Sequence, residues 1–153
     1  ISGDLCRVVR QALLVTEIPP ELIVIELTES MLMDNVSEGI SLMFELKGLG
    51  VKLSIDDFGT GYSSLSYLKR FPLDELKIDR SFLIDLPGQT CDLAIARTVI
   101  ELGHSLNMCV TAEGVETVEQ RDCLAAMGCD MYQGFLFSKP VPNDQLLRLL
   151  NRS

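Results

Sequence analysis

The feature that most constrains this chain is a regular alternation. Short apolar, β-rich runs are each followed by a segment with helical spacing, five times over. The intervals are roughly 25 to 30 residues, the length of a right-handed βαβ crossover. The strand runs are Leu22 to Leu27, Val51 to Asp56, Glu75 to Ile78, Met108 to Ala112 and Met131 to Gly134. Leu22-Ile23-Val24-Ile25-Glu26-Leu27 is almost continuously apolar, as a parallel strand covered on both faces requires. Asn35 with Glu38 predicts a helix start, running to about Leu46. A stripe of Ala96, Val99, Ile100 and Gly103 predicts a helix packed by one face. Thr117-Val118-Glu119-Gln120 has the form of a capping box, and Gly128 is placed to end that helix. Asn143 predicts the cap of a last helix through Leu150. The pattern is α/β, and permits either a doubly wound open sheet or part of a (β/α)8 TIM-like barrel, with about five βα units present. No GxGxxG or Walker loop occurs, so the nucleotide-cofactor form of the open sheet has little support.

Charge and composition narrow the function. Thirteen Lys and Arg stand against 22 Asp and Glu, a net charge of −9. A broad DNA-binding surface needs the opposite balance, so no DNA partner is expected. His104 is the single histidine, so any metal here is held by oxygen ligands. The five cysteines are odd in number and contain no CxxC pair. That predicts buried, reduced thiols and a cytoplasmic setting rather than a disulfide framework or a zinc site. No apolar run approaches the roughly 18 residues of a membrane span, so no direct membrane contact is expected from this segment.

Acidic residues gather at one end of the predicted strands. Glu26 lies near the end of the first, and Asp56 and Asp57 end the second. Lys77 and Asp79 end the third, Glu113 the fourth, and Gln133 lies in the fifth. In a parallel α/β fold all strand C-termini open on one face, where active sites lie. A lone carboxylate there is ordinarily a solvated rim residue, and Asp56-Asp57 alone reads as a turn. Four carboxylates with one lysine on one rim are harder to explain that way. They leave excess negative charge, which Mg²⁺ or Mn²⁺ neutralises through oxygen ligands. Ser54 and Thr111 read as strand-packing residues without chemistry.

The blocks Glu26-Leu27-Thr28-Glu29-Ser30, Asp56-Asp57-Phe58-Gly59-Thr60-Gly61-Tyr62-Ser63-Ser64-Leu65, Leu76-Lys77-Ile78-Asp79, Ala112-Glu113-Gly114-Val115-Glu116-Thr117 and Gln133-Gly134-Phe135 occur in that order. In them the chain resembles the EAL-domain cyclic di-GMP phosphodiesterases, over essentially its whole length. The resemblance implies a TIM-like barrel and a two-metal Mg²⁺ or Mn²⁺ site that hydrolyses cyclic di-GMP to linear pGpG. It implies metal ligation by Glu26, Asp56, Asp57 and Glu113. Glu113 is implied as general base, and Lys77 as the group holding the attacking water or the phosphate. Glu29 is implied to anchor the 57–64 loop, which in the family couples metal binding to dimer contacts. Glu116 and Gln133 would support the ligands, and Asp79 and Gln133 would touch substrate.

No Glu-Ala-Leu tripeptide occurs in the sequence, and Gln11-Ala12-Leu13 is the nearest string. In the family that Glu and an Asn from the next strand are also ligands. The expectation is therefore a partial domain, residues 1–153, with three strands and two ligands preceding residue 1. The first residue is Ile rather than Met, which fits an excerpt of a longer protein. A five-stranded arc has two open edges, so homodimers or larger oligomers are expected. A catalytically inactive module that binds cyclic di-GMP or a protein is the alternative reading.

Overall fold

A computed structural model describes residues 2–28, 31, 35–58 and 65–150. Helix α1 (Ser2–Thr16) leads through a 3₁₀ turn (Pro20–Leu22) into β1 (Val24–Thr28). Then follow α2 (Val36–Lys47), β2 (Lys52–Phe58), the short α3 (Leu65–Leu68), β3 (Glu75–Ile78) and a 3₁₀ turn (Arg80–Phe82). α4 (Thr90–Ser105), β4 (Cys109–Glu113), α5 (Val118–Ala126), β5 (Met131–Gln133) and α6 (Asn143–Leu150) complete the described elements.

Among the described residues the five strands form one parallel sheet in the order β1-β2-β3-β4-β5. The order never reverses. A doubly wound sheet must reverse at its switch point, so this is an arc of a (β/α) barrel. One face of the arc carries the core. Leu27, Leu53, Ile55, Leu76, Ile78, Val110 and Ala112 are all at most 2% exposed. They alternate with the residues of the opposite face, as period-two strands must. The predicted stripe of α4 is the face that is buried, through Ala96, Val99, Ile100 and Gly103. A Cβ at Gly103 would meet Val110 Cγ2 at 2.4 Å, so glycine lets α4 lie directly on β4.

Local signals set most element ends. Asn35 Oδ1 accepts the Glu38 N–H and caps α2. Thr117 and Gln120 form the expected capping box on α5. Several boundaries move by one or two residues, among them the end of β5, which stops at Gln133 rather than Gly134. β1 begins at Val24 because the Leu22 and Ile23 N–H groups close a 3₁₀ turn onto Pro19 and Pro20. β2 does not stop at Asp56 but runs to Phe58, so Asp57 lies in the strand rather than in the following loop. β4 spans Cys109–Glu113, one residue later than predicted, so Glu113 is inside the ladder opposite Gln133. Asn143 is the first residue of α6 rather than its cap. The expectation of buried thiols holds for Cys6 only; Cys91 is exposed and Cys109, Cys123 and Cys129 are half-buried. Among the described residues no helix is long and apolar enough to cross a membrane.

Candidate active site

Lys77 stands at the centre of the rim. It sits in β3 between Leu76 and Ile78, both fully buried on the helix side. Alternation therefore sends Lys77 to the opposite face, where it is 3% exposed. A buried ammonium needs partners. Its Nζ donates to Glu26 Oε1 at 2.6 Å and pairs with Glu113 Oε1, and Asp56 Oδ1 lies at 3.8 Å. Carboxylates from β1, β2 and β4 thus converge on the one cation of β3. Burial works against the charge on Lys77. The hydrogen bonds with Glu113 and Glu26, and the charges of Glu113 and Asp56, outweigh it and push the pKa up to about 12. Burial raises the Glu113 carboxyl above the ordinary value, Lys77 opposes this, and the charges of Asp56 and Glu26 add to it.

The sheet geometry explains why carboxylates meet here. In the β2–β3 ladder Ile55 pairs with Leu76 and Phe58 with Ile78, so β2 carries an extra residue between them. That bulge falls on the Asp56–Asp57 stretch. Bulges beside active sites re-aim side chains; this one takes Asp56 out of register with β3 while it still pairs with Thr28 of β1. Gln133 on the neighbouring β5 donates Nε2–H to Glu113 Oε1 at 2.7 Å.

The donor set suits a hard divalent cation. Its ligating atoms are all carboxylate oxygens, and Glu26, Asp56 and Glu113 with Lys77 sum to two negative charges. The Glu26 side chain is 52% exposed, so the cluster opens to solvent. Among the described residues no three acidic, histidine or cysteine side chains are spaced to share one metal ion. The carboxylates are instead spaced around the Lys77 ammonium.

The remaining predicted residues divide. Glu116 turns away from the cluster and pairs with Arg80 Nη2 at 2.8 Å. Asp79 accepts the Ser81 N–H at 2.9 Å and caps the 3₁₀ turn. Glu29 and residues 59–64 lie outside the described residues, as does the Asp57 side chain. Beside Glu113 a cleft of about 470 Å³ is lined by Arg80, Glu116, Gln133, Phe135, Phe137 and Lys139, among others. Lys139 Nζ lies 5.6 Å from the Phe135 ring centre. Gly114 adopts φ +70, and any Cβ there would come within 2.6 Å of the Arg80 side chain. Glycine therefore lets Arg80 lie over the β4 loop.

Sequence reasoning missed Arg80, which directly follows the Leu76–Asp79 block and was one signal away. It also missed Glu75, which accepts the Thr111 hydroxyl hydrogen bond, so Thr111 is not mere packing. Ser54, completely buried, has an Oγ without a hydrogen-bond partner.

The EAL domain family profile matches residues 2–140. The chain belongs to the EAL domain family. It is 46% identical over 144 residues to the signaling protein YkoW of Bacillus subtilis, covering 94% of this chain and 18% of that protein. It is 47% identical over 139 residues to the bifunctional diguanylate cyclase/cyclic di-GMP phosphodiesterase MucR of Pseudomonas aeruginosa, covering 91% of this chain and 20% of that protein. The MucR phosphodiesterase solved in complex with c-di-GMP matches at TM-score 0.85 and 46% identity, over 90% of this chain and 56% of that one. Klebsiella pneumoniae BlrP1, solved with manganese and c-di-GMP at pH 6, matches at TM-score 0.80 and 37% identity, over 90% of this chain and 34% of that one. This EAL chain thus spans about a fifth of the curated relatives it matches.

Proposed function

We propose that this EAL domain hydrolyses one phosphodiester bond of cyclic di-GMP to give the linear dinucleotide pGpG, with Mg²⁺ or Mn²⁺ as cofactor. The observation that carries the proposal is the convergence of Glu26, Asp56 and Glu113 on Lys77, in a chain whose solved relatives include a c-di-GMP complex and a manganese complex. Glu26, Asp56, Asp57 and Glu113 would hold the metal. When bound, it supplies Lewis-acid stabilisation of the phosphate and acidifies water. Glu113, raised above the ordinary carboxylate range, accepts a proton from the attacking water. Water bonds to phosphorus, the P–O3′ bond breaks, and the 3′ oxygen takes up a proton from solvent. Lys77 holds the attacking water or a phosphate oxygen, and Gln133 fixes the Glu113 carboxylate. Asp79 and Gln133 touch substrate, and Glu29 anchors the 57–64 loop. Self-association as homodimers or oligomers belongs to the same reading.

The test is incubation of the protein with cyclic di-GMP and Mn²⁺, following pGpG by chromatography, with Glu113→Gln alongside. Removal of a general base lowers turnover by about 100-fold or more. Tight cyclic di-GMP binding without product, with Mn²⁺ present, supports the second reading, a binding module. The observation favouring that reading is Lys77, which already occupies the point where the carboxylates meet.

A further inference from the structure

We infer that Gln120 is a positioning residue that ties together the two loops forming one wall of the cleft. The inference rests on the phosphodiesterase reading of the site. Gln120 is the third residue of α5 and is 6% exposed. Its Oε1 accepts the Glu116 N–H at 2.8 Å and the Thr117 N–H at 3.1 Å. Its Nε2 donates to the Leu83 carbonyl at 2.8 Å, across 37 residues of sequence. The Thr117 bond belongs to the capping box; the Glu116 and Leu83 bonds do not. The Leu83 bond joins the loop after β4, which carries Gly114 and Glu116, to the end of the 3₁₀ turn that begins at Arg80.

Arg80 and Glu116 face each other across that junction and line the cleft. Their side chains are 58% and 41% exposed, and an exposed ion pair holds little by itself. The buried amide is the firmer link. A capping box works with either Gln or Glu at this position. Only Gln has the N–H that reaches Leu83. The amide is therefore required by the cross-loop bond and not by the cap. Lys77 and Glu113, by contrast, are fixed by the β3–β4 and β4–β5 ladders, in which Lys77 pairs with Thr111 and Glu113 with Gln133. Loosening the junction should alter the cleft wall and spare the reacting groups.

The experiment compares Gln120→Glu with Thr117→Ala in the full-length protein, at about pH 8 so that the introduced carboxyl is ionised. Gln120→Glu keeps both N–H acceptances and loses the Leu83 bond. Thr117→Ala weakens the cap and keeps the bond. The expected result for Gln120→Glu is faster amide exchange in residues 80–88, an unchanged start of α5, and a KM for cyclic di-GMP raised about tenfold with kcat unchanged. Thr117→Ala should lower the unfolding midpoint without moving KM. If the wild type shows no turnover, the phosphodiesterase reading fails. The inference is then judged on exchange and on the Kd for cyclic di-GMP. Unchanged exchange in residues 80–88, an unchanged KM and Kd, or the same KM shift in Thr117→Ala overturns it.

Discussion

Replacing Lys77 by Met removes the cation and keeps the length of the side chain. Three carboxylates then face a site with no positive charge. Glu113 and Asp56 are 18% and 25% exposed on their side chains, so solvent screens them incompletely. At an effective dielectric of about 20, each ion pair lost at about 4 Å removes about 4 kcal/mol of attraction. The ammonium no longer has to be desolvated, which returns part of that. Breaking a buried pair costs about 3–5 kcal/mol net. Glu26, half in solvent, moves the expectation to the lower end, about 3 kcal/mol. Chelator-treated protein unfolded in urea at neutral pH measures it. Mn²⁺ then supplies charge to the same oxygens. At about 100 times its Kd it stabilises by about 2.7 kcal/mol, nearly cancelling the loss. In the wild type Mn²⁺ must displace Lys77 from Glu26 and Glu113, so it stabilises the wild type less and binds it more weakly. A loss under about 1 kcal/mol, or equal stabilisation of both proteins by Mn²⁺, would refute the view of Lys77 as the occupant of the metal position.

Gln133→Leu removes the amide that donates to the Glu113 carboxylate; kcat for cyclic di-GMP should fall about tenfold, while unfolding in urea stays near the wild-type midpoint. Gly103→Ala drives a methyl into Val110, a stiff and fully buried neighbour. The strain exceeds the gain in helix propensity, and calorimetry should show a net loss of about 1 kcal/mol. Burial works against the Asp130 charge, but the Val110 N–H and His104 outweigh it and hold the carboxyl below its ordinary value. A depressed carboxylate stabilises above its unfolded pKa, near 3.8, and loses that contribution as pH falls through the lower folded value. Asp130→Asn should therefore cost stability at neutral pH, about half a kcal/mol after solvent screening of its 40%-exposed side chain, and nothing in strong acid; paired urea titrations test this.

The parts of this fold that were legible in the sequence are those governed by neighbours in the chain. The strand runs, the α4 stripe and the Thr117 cap depend on residues within one or two turns, and each formed within two residues of its pattern. The strand order was not legible in the alternation, which serves an open sheet and a barrel equally; the barrel was legible only through the motif blocks that carry the family resemblance. The β2 bulge was not legible either: Asp56 and Asp57 read as a strand end because nothing local announces an extra residue in a ladder. For the site, Glu26, Lys77 and Glu113 were legible as charges in apolar runs. Their meeting at one nitrogen was not, because it depends on register across four strands, β1 to β4. Arg80–Glu116 and Gln120–Leu83 span 36 and 37 residues and leave no spacing rule to detect.

Charge resolves an apparent conflict in the proposal. A protein of net charge −9 is asked to hold an anionic dinucleotide. Net charge acts over distances that salt screens, about 8 Å under physiological conditions. The rim is organised on a shorter scale. Lys77 lies under the carboxylates, and Arg80 and Lys139 border the cleft beside them. Each cation stands against an acid or an aromatic ring: Glu26 and Glu113, Glu116, and Phe135. Without metal, positive charge on this rim is largely committed to internal partners. Anion binding at the carboxylates then requires further positive charge, which is what a divalent ion on Glu26 and Asp56 would bring. Metal binding and substrate binding should accordingly be coupled, each strengthening the other by the same factor, as linkage demands.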